Sequence, residues 1–270
     1  MASVSTPIDI EEQLLELRYP GIEDWVVEEY RSLLEYETTL VTEDDQPKDN
    51  IFHEKQMRLL PHVLLTNWKR PEGKPFIAMS DVGLFYQVNT PPIVPDVLVS
   101  LDVRLLSHLY PASAGRSYLL WRYGKVPELV IEIVSNRQGG EWDRKKQIYE
   151  HLGIRYYIIF DPELVVAEQE LTIFRVVGNT FQEIESEWFP EVGLGLTLWQ
   201  GRFEDMESTW LRWTDEQGKL IPTAGESATL ERERVVVENQ RAESEKQRAD
   251  SAERRVQELL ELLKKNGIEA

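Results

Sequence analysis

The stretch from Leu129 to Val134 surrounds one carboxylate, Glu132, with Leu, Ile and Val. An apolar run of this length predicts a β-strand buried on both faces, as in the middle of a parallel or mixed sheet. Because side chains alternate along a strand, Glu132 shares a face with Val130 and Val134. A carboxylate there is costly unless it is paired, protonated or bound to a metal ion. The fold must therefore supply Glu132 with a partner.

The residues that follow predict a strand–helix–strand unit. Residues 142–152 carry apolar side chains at helical intervals, Gly153 stands at a typical C-terminal cap, and residues 156–160 form a second apolar run. A crossover of this kind favours a parallel strand pair. Further short β-rich runs lie between residues 76 and 198. The expected fold class is α/β, with a C-terminal coiled-coil helix.

Two helices are predicted ahead of the sheet. Residues 23–37 and residues 53–68 both space apolar side chains at helical intervals. Pro61 lies inside the second segment and is expected to end or kink it. Residues 1–47 hold 13 acidic and 2 basic side chains, a large share of the net charge of −18. We therefore predict an acidic helical segment over residues 1–44.

The remaining boundaries follow from composition. The α/β domain is expected over residues 45–200, a linker over 201–225 and a coiled coil over 226–266. In the last segment, apolar residues recur at every seventh position: Val235, Ala242, Ala249, Val256 and Leu263. This spacing predicts a homodimer formed through the coiled coil and the core, and a solvated single helix is the alternative.

Composition also excludes several classes of site. The chain has no cysteine, which excludes disulfides and thiolate metal sites. No apolar run approaches a membrane span, and the first residues lack the features of a signal peptide, so a cytoplasmic location is expected. The net charge of −18 argues against broad attraction to nucleic acid, although residues 48–200 are nearly neutral.

Asp96 and Lys145 are the best candidate partners for Glu132. Asp96 begins the apolar run "DVLVSLDV" behind a proline, and if its strand neighbours the Glu132 strand the two carboxylates can converge. Lys145 shares a helix face with Tyr149 that must pack on the sheet, whereas Lys146 is expected to face solvent. Two carboxylates that bind Mg²⁺ or Mn²⁺, together with an ammonium group, can hydrolyse a phosphodiester.

These residues carry a resemblance to a known family. "PD" at Pro95–Asp96, "ELVIEIVSN" around Glu132, "GGEWDRKKQIYEHLGIRYYIIFDP" and the helix opening at His53 resemble the Uma-type family of restriction-endonuclease-like proteins, within the PD-(D/E)XK nuclease superfamily. The likeness covers roughly residues 45–200, and it implies a restriction-endonuclease-like fold with a mixed β-sheet core flanked by helices. It implies a metal-dependent DNA endonuclease whose metal is held by Asp96, Glu132 and the Ile133 carbonyl.

One departure concerns the lysine. The superfamily places it two residues after the acid, where this chain has Val134. The resemblance implies that the following helix supplies it instead, as Lys145. His53 is a further candidate for the site, and a helix-face histidine with a structural role is the alternative. The competing interpretation of these residues is that Glu132 and Lys145 form a buried structural ion pair. The competing function is a catalytically silent nuclease-fold protein that assembles through its coiled coil.

Overall fold

The computed structural model describes residues 19–39, 50–105, 117–134 and 141–265, and the helical positions 8, 13 and 15. The helices are α1 (Asp24–Thr38), α2 (Ile51–Asn67), α3 (Leu120–Tyr123), α4 (Glu141–Leu152) and α5 (Ala224–Lys265). The strands are β1 (Phe76–Ser80), β2 (Leu84–Phe85), β3 (Val97–Leu101), β4 (Tyr118–Leu119), β5 (Leu129–Ile133), β6 (Tyr156–Phe160), β7 (Leu171–Val177), β8 (Thr180–Glu183), β9 (Trp188–Phe189), β10 (Leu194–Phe203) and β11 (Met206–Thr214).

A six-stranded mixed sheet forms the centre of the fold, in the order β1-β3-β5-β6-β7-β8. β5 and β6 are parallel, and the other neighbours in this sheet are antiparallel. The predicted strand–helix–strand unit is therefore confirmed as β5–α4–β6. Gly153 ends α4 with a φ of +73°, a conformation that glycine adopts without strain. The expected α/β class is likewise confirmed.

The two faces of this sheet bury different clusters. On one face, Ile131 and Ile158 join α2 and the β9–β11 sheet in the larger core. On the other, Val130 and Tyr157 pack with Tyr149 of α4. Glu132 lies on the α4 face because it alternates with Ile131 and Ile133. This placement sets which helix can reach it.

The helix does not end at Pro61, which was expected either to end it or to kink it. α2 continues to Asn67, although a proline at this position cannot donate its backbone hydrogen bond. Contacts with β11 hold the helix in the turns just before the proline. The Gln56 side chain bonds both the N–H and the carbonyl of Leu211, and Trp213 Nε1 donates to the Leu60 carbonyl at 2.9 Å. Tertiary packing thus outweighs the local cost.

The predicted linker over residues 201–225 is also wrong for most of its length. β10 and β11 form a hairpin whose two turn residues, Glu204 and Asp205, have φ values of 44° and 65°. Trp210 and Trp213 on β11 are fully buried in the larger core. The compact unit therefore extends to Ile221. Gly201 and the charged turn at Glu204 and Asp205 interrupt the apolar pattern of this segment.

The N-terminal helix belongs to the same compact unit rather than to a separate segment. α1 forms where residues 23–37 predicted a helix. Its Glu37 is fully buried and accepts hydrogen bonds from the Arg122 guanidinium, with both N–O distances at 2.7 Å. Trp121 Nε1 donates to the same carboxylate at 2.9 Å. An ion pair buried this completely fixes α1 against α3.

The second unit comprises residues 222–270. Its helix, α5, has 42 residues and begins with a capping box, in which Thr223 Oγ1 accepts from the Glu226 N–H and Glu226 Oε2 accepts from the Thr223 N–H. The predicted helix is therefore confirmed. Val235 and Val256, two of the heptad positions, are exposed. None of the helices in the described part of the chain is both long and apolar enough to cross a membrane.

Candidate active site

Pairing between β3 and β5 brings the two candidate carboxylates together at the ends of these neighbouring strands. Asp96 immediately precedes β3, and Glu132 lies near the end of β5. The antiparallel register places Val97 opposite Ile131, so the start of β3 meets the end of β5. Asp96 Oδ2 accepts a hydrogen bond from the Ile133 N–H at 2.6 Å. The Asp96 carboxylate thereby occupies the position next to Glu132 that the sequence predicts.

Glu132 is almost completely buried, with 2% of its side chain exposed, and both of its oxygens are engaged. Lys145 Nζ donates to Oε2 at 2.9 Å, and the Tyr149 hydroxyl donates to Oε1 at 2.6 Å. Both donors come from α4, four residues apart on one helix face. The strand acid therefore finds its partners on the helix that directly follows.

Lys145 lies between the buried carboxylate and the protein surface. Its ammonium also donates to the Val94 carbonyl at 2.9 Å, and 16% of its side chain is exposed. Lys146, which was expected to face solvent, is partly exposed, and its ammonium lies 3.8 Å from the centre of the Phe174 ring. Lys145 is thus the lysine next to the acid, and Lys146 points along the sheet toward β7.

His53 joins the same group from the opposite side of Asp96. Its Nε2 lies 3.2 Å from Asp96 Oδ1, and its side chain is 10% exposed. The Asn50 side chain accepts a hydrogen bond from the His53 N–H and so caps the start of α2. The first turn of α2 therefore fixes the imidazole against the carboxylate. Each Asp96 oxygen has a defined partner, His53 or the Ile133 N–H.

Burial dominates the electrostatics of Glu132. It raises the pKa of Glu132 to about 7, although the Lys145 charge acts in the opposite direction; the nearby Asp96 charge raises it further. Burial, followed by the Glu132 charge, also raises the pKa of Tyr149 well above its usual value. Tyr149 is therefore neutral and keeps the proton that it donates to Glu132. With a pKa of about 7, Glu132 changes between its protonated and ionised forms near neutral pH.

The donor set is suited to a hard cation that retains water. Carboxylate oxygens have two acceptor sites each, so those of Asp96 and Glu132 keep coordinating capacity beside their present hydrogen bonds. Within the described ranges, no group of three or more His, Cys, Asp or Glu side chains is arranged to hold a metal. Mg²⁺ binds through one or two carboxylates, waters and substrate phosphates, which matches two carboxylates and the Ile133 carbonyl.

Two functional contacts were not predicted from sequence. Tyr149 was placed on the packing face of α4 with Lys145, but nothing in the spacing showed that its hydroxyl reaches Glu132. Asn50 directly precedes an amphipathic helix, and this capping signal could have located the start of α2. Asp161, which follows β6, accepts hydrogen bonds from the backbone N–H groups of Val165, Val166 and Ala167. Its role is to fix a turn.

Comparison with known proteins gives one family. A family model described as "Uma2: Putative restriction endonuclease" matches residues 37–204. The match includes Asp96, Glu132 and Lys145, and it begins at the glutamate that anchors α1. A search of curated proteins returned no match.

Proposed function

This chain belongs to the Uma2 family, and we propose that it is a metal-dependent endonuclease that hydrolyses phosphodiester bonds in DNA. The observation that carries the proposal is the contact between Glu132 and Lys145 at the sheet edge beside Asp96. A buried carboxylate whose pKa remains near 7 beside a lysine is poorly explained by stability alone. A second positive charge at the edge would favour its ionised form.

The metal ligands in this proposal are Asp96, Glu132 and the Ile133 carbonyl. Bound Mg²⁺ or Mn²⁺ would supply a water of lowered pKa and neutralise charge on the phosphodiester. Lys145 is the catalytic cation, because its ammonium can donate to a phosphate oxygen or to the attacking water at the boundary between buried site and solvent. His53 is a positioning residue that holds Asp96 in its orientation.

The chain's own contacts set the geometry for this chemistry. Tyr149 donates to Glu132 and remains neutral, so it orients the carboxylate without adding charge. The Val94 carbonyl holds the Lys145 ammonium from the β3 side. Tyr149 thus positions the Glu132 carboxylate, and the Val94 carbonyl positions the Lys145 ammonium, before substrate binds. Preorganised groups of this kind stabilise developing charge without reorganisation during the reaction.

We also propose that the chain forms a homodimer to which α5 contributes a coiled-coil seam. Val235 and Val256 are 46% and 55% exposed, and both belong to the seven-residue repeat. Burial of such a stripe against a second helix is the usual source of stability for a long polar helix. Dimerisation would also supply two catalytic sites for cleavage of both DNA strands.

The test is cleavage of supercoiled plasmid in Mg²⁺ or Mn²⁺. Wild type should nick or linearise the plasmid, EDTA should abolish cleavage, and Glu132→Gln and Lys145→Met should each lower the rate by at least about a hundredfold. Glu128→Gln is the matched control, since Glu128 pairs with Lys125 away from the site. Equal cleavage by wild type and Glu132→Gln would indicate a contaminating nuclease. Absence of cleavage by every preparation would favour the catalytically silent alternative.

A further inference from the structure

A cavity of about 730 Å³ lies beside the candidate active site, on the same face of the central sheet as Glu132. The strand register pairs Glu132 with Ile159 and Ile159 with Thr172, and both of these residues line the cavity. Neighbouring strands are about 4.8 Å apart, so the cavity floor begins roughly 5 Å from Glu132 and extends to about 10 Å. This distance lies within the span from the phosphate of a nucleotide to its base.

The lining of the cavity combines a partly exposed aromatic ring, Phe174, with acidic side chains, and the buried Tyr157 ring lies against Phe174. The Tyr157 and Phe174 rings lie nearly parallel, with centres 5.8 Å apart and 19° between their planes. The charged side chains are three carboxylates and one ammonium: Asp143, Glu168, Glu183 and Lys146. This excess of negative charge disfavours a phosphate in the cavity. It suits a flat, neutral ligand whose edge carries N–H donors.

Tyr157 adds an independent sign of a ligand. The residue is fully buried, and its hydroxyl has no hydrogen-bond partner among the residues that the structure describes. A buried polar group without a partner is costly, and most such groups in proteins are satisfied. Tyr157 also lines the cavity, so a polar ligand there would provide the missing partner if the tyrosine side chain turned toward it.

We propose that the cavity binds a nucleobase carrying an exocyclic amino group, displaced from the base stack next to the phosphodiester held at Asp96 and Glu132. The assignment rests on the proposed nuclease function. The carboxylates of Glu168 and Glu183 accept hydrogen bonds from the amino group, as acids do when they read cytosine. Thymine presents a carbonyl at the same position and is disfavoured. Enzymes that act on displaced bases hold them by stacking and edge contacts in the same manner.

Binding of a base in the cavity would also move Lys146. In the present structure its ammonium covers the Phe174 ring. Stacking of a base on an aromatic ring is worth more than a partly exposed cation–π contact, so the base displaces the ammonium from the ring. The released ammonium remains on α4, one residue after Lys145, where it can pair with the phosphate of the same nucleotide. The cavity and the active site therefore bind two ends of one nucleotide.

The test compares short single-stranded oligo-dC with oligo-dT, two pyrimidine ligands that differ in the amino group. Binding is followed by fluorescence anisotropy in Ca²⁺ at low salt, where it does not depend on cleavage. Wild type should bind oligo-dC about tenfold more tightly than oligo-dT. The double variant Glu168→Gln/Glu183→Gln should remove the preference, and Phe174→Leu should weaken both ligands about tenfold. The control Glu185→Gln alters an exposed acid outside the cavity and should behave as wild type.

The outcomes separate this proposal from the nuclease assignment. A preference for oligo-dC that depends on the two glutamates, in a protein that cleaves no plasmid, would support the cavity and refute the nuclease. Plasmid cleavage together with equal affinity for both oligonucleotides would overturn the cavity proposal alone. A third outcome is equal affinity for both oligonucleotides, together with binding of an arginine-rich peptide to wild type but not to the double variant. This result would assign the cavity to a protein partner and would also overturn the cavity proposal.

Discussion

Replacement of Glu132 by Gln separates a metal site from a structural ion pair. The change keeps the shape of the side chain and removes its charge. Because burial raises the pKa of Glu132 from 4.5 to about 7, the folded protein binds this proton more tightly than the unfolded chain. The stability that Glu132 contributes is therefore complete below pH 4.5 and is lost as the pH rises through 7. The Gln variant has no such loss.

The size of the effect follows from the two pKa values. The interval between 4.5 and about 7 corresponds to about 3 kcal/mol, at roughly 1.4 kcal/mol for each pKa unit. Glu132 is 2% exposed, so solvent screening does not reduce this figure substantially. We expect equal unfolding free energies for wild type and Glu132→Gln near pH 4. At pH 8 the variant should be more stable by up to about 3 kcal/mol.

Urea unfolding followed by tryptophan fluorescence measures this difference between pH 4 and pH 8. All eight tryptophans precede residue 222, so the signal reports the compact unit. Glu128→Gln, which alters a carboxylate outside the site, is the matched control and should respond to Mg²⁺ as wild type does. Saturating Mg²⁺ at pH 8 should stabilise wild type by about 3 kcal/mol at a hundredfold excess over Kd and leave Glu132→Gln unchanged. A Gln variant about 3 kcal/mol less stable than wild type at pH 8, with no Mg²⁺ response in wild type, would refute the reasoning and support the structural ion pair.

Three further predictions concern the architecture. A chain ending at residue 200 should not fold, whereas one ending at residue 225 should still melt cooperatively, because only the longer chain retains the buried Trp210 and Trp213. Near-ultraviolet circular dichroism would check this. A native spectrum from the shorter chain would contradict it. Glu37→Ala should cost about 3–5 kcal/mol in urea unfolding because it leaves the buried Arg122 without its carboxylate, whereas Glu204→Ala, in a half-exposed ion pair, should cost less than about 1 kcal/mol. Removal of residues 226–270 should yield monomers in sedimentation equilibrium, and a dimer that survives the deletion would exclude α5 as its seam.

Local sequence patterns were sufficient for the unit that builds the site. The β5–α4–β6 segment could be predicted because its apolar runs are uninterrupted and a glycine cap marks the helix end. Asp96 could be placed because a proline and an apolar run define where its strand starts. Both signals come from residues close together in the chain. The cost of leaving Glu132 unpaired pointed to Asp96 as a neighbour, but the antiparallel register that joins Asp96 to Ile133 was not predicted.

The errors arose where distant contacts override local preference. Pro61 remains inside α2 because Gln56 and Leu60 bond to β11, roughly 150 positions later in the chain. Gly201 weakens the strand pattern of β10, yet the position requires glycine because a Cβ there would lie 2.3 Å from the Trp199 ring. The contact between the partly exposed Lys146 and the Phe174 ring on β7 likewise joins residues that are far apart in the chain. Neither type of contact can be read from a single local window.

Because Lys145 comes from α4, the candidate site depends on the docking of this helix against the sheet. Glu132 and the other strand residues are held by the sheet, but Lys145 and Tyr149 reach Glu132 only while α4 is docked. A helix held on one face of a sheet can detach in a local opening that leaves the strands paired. Such an opening would withdraw the cation and the tyrosine hydroxyl together and expose Glu132 to water. On gradual heating, loss of the proposed nuclease activity would then precede the main melting transition, and this activity would return on cooling without refolding of the sheet.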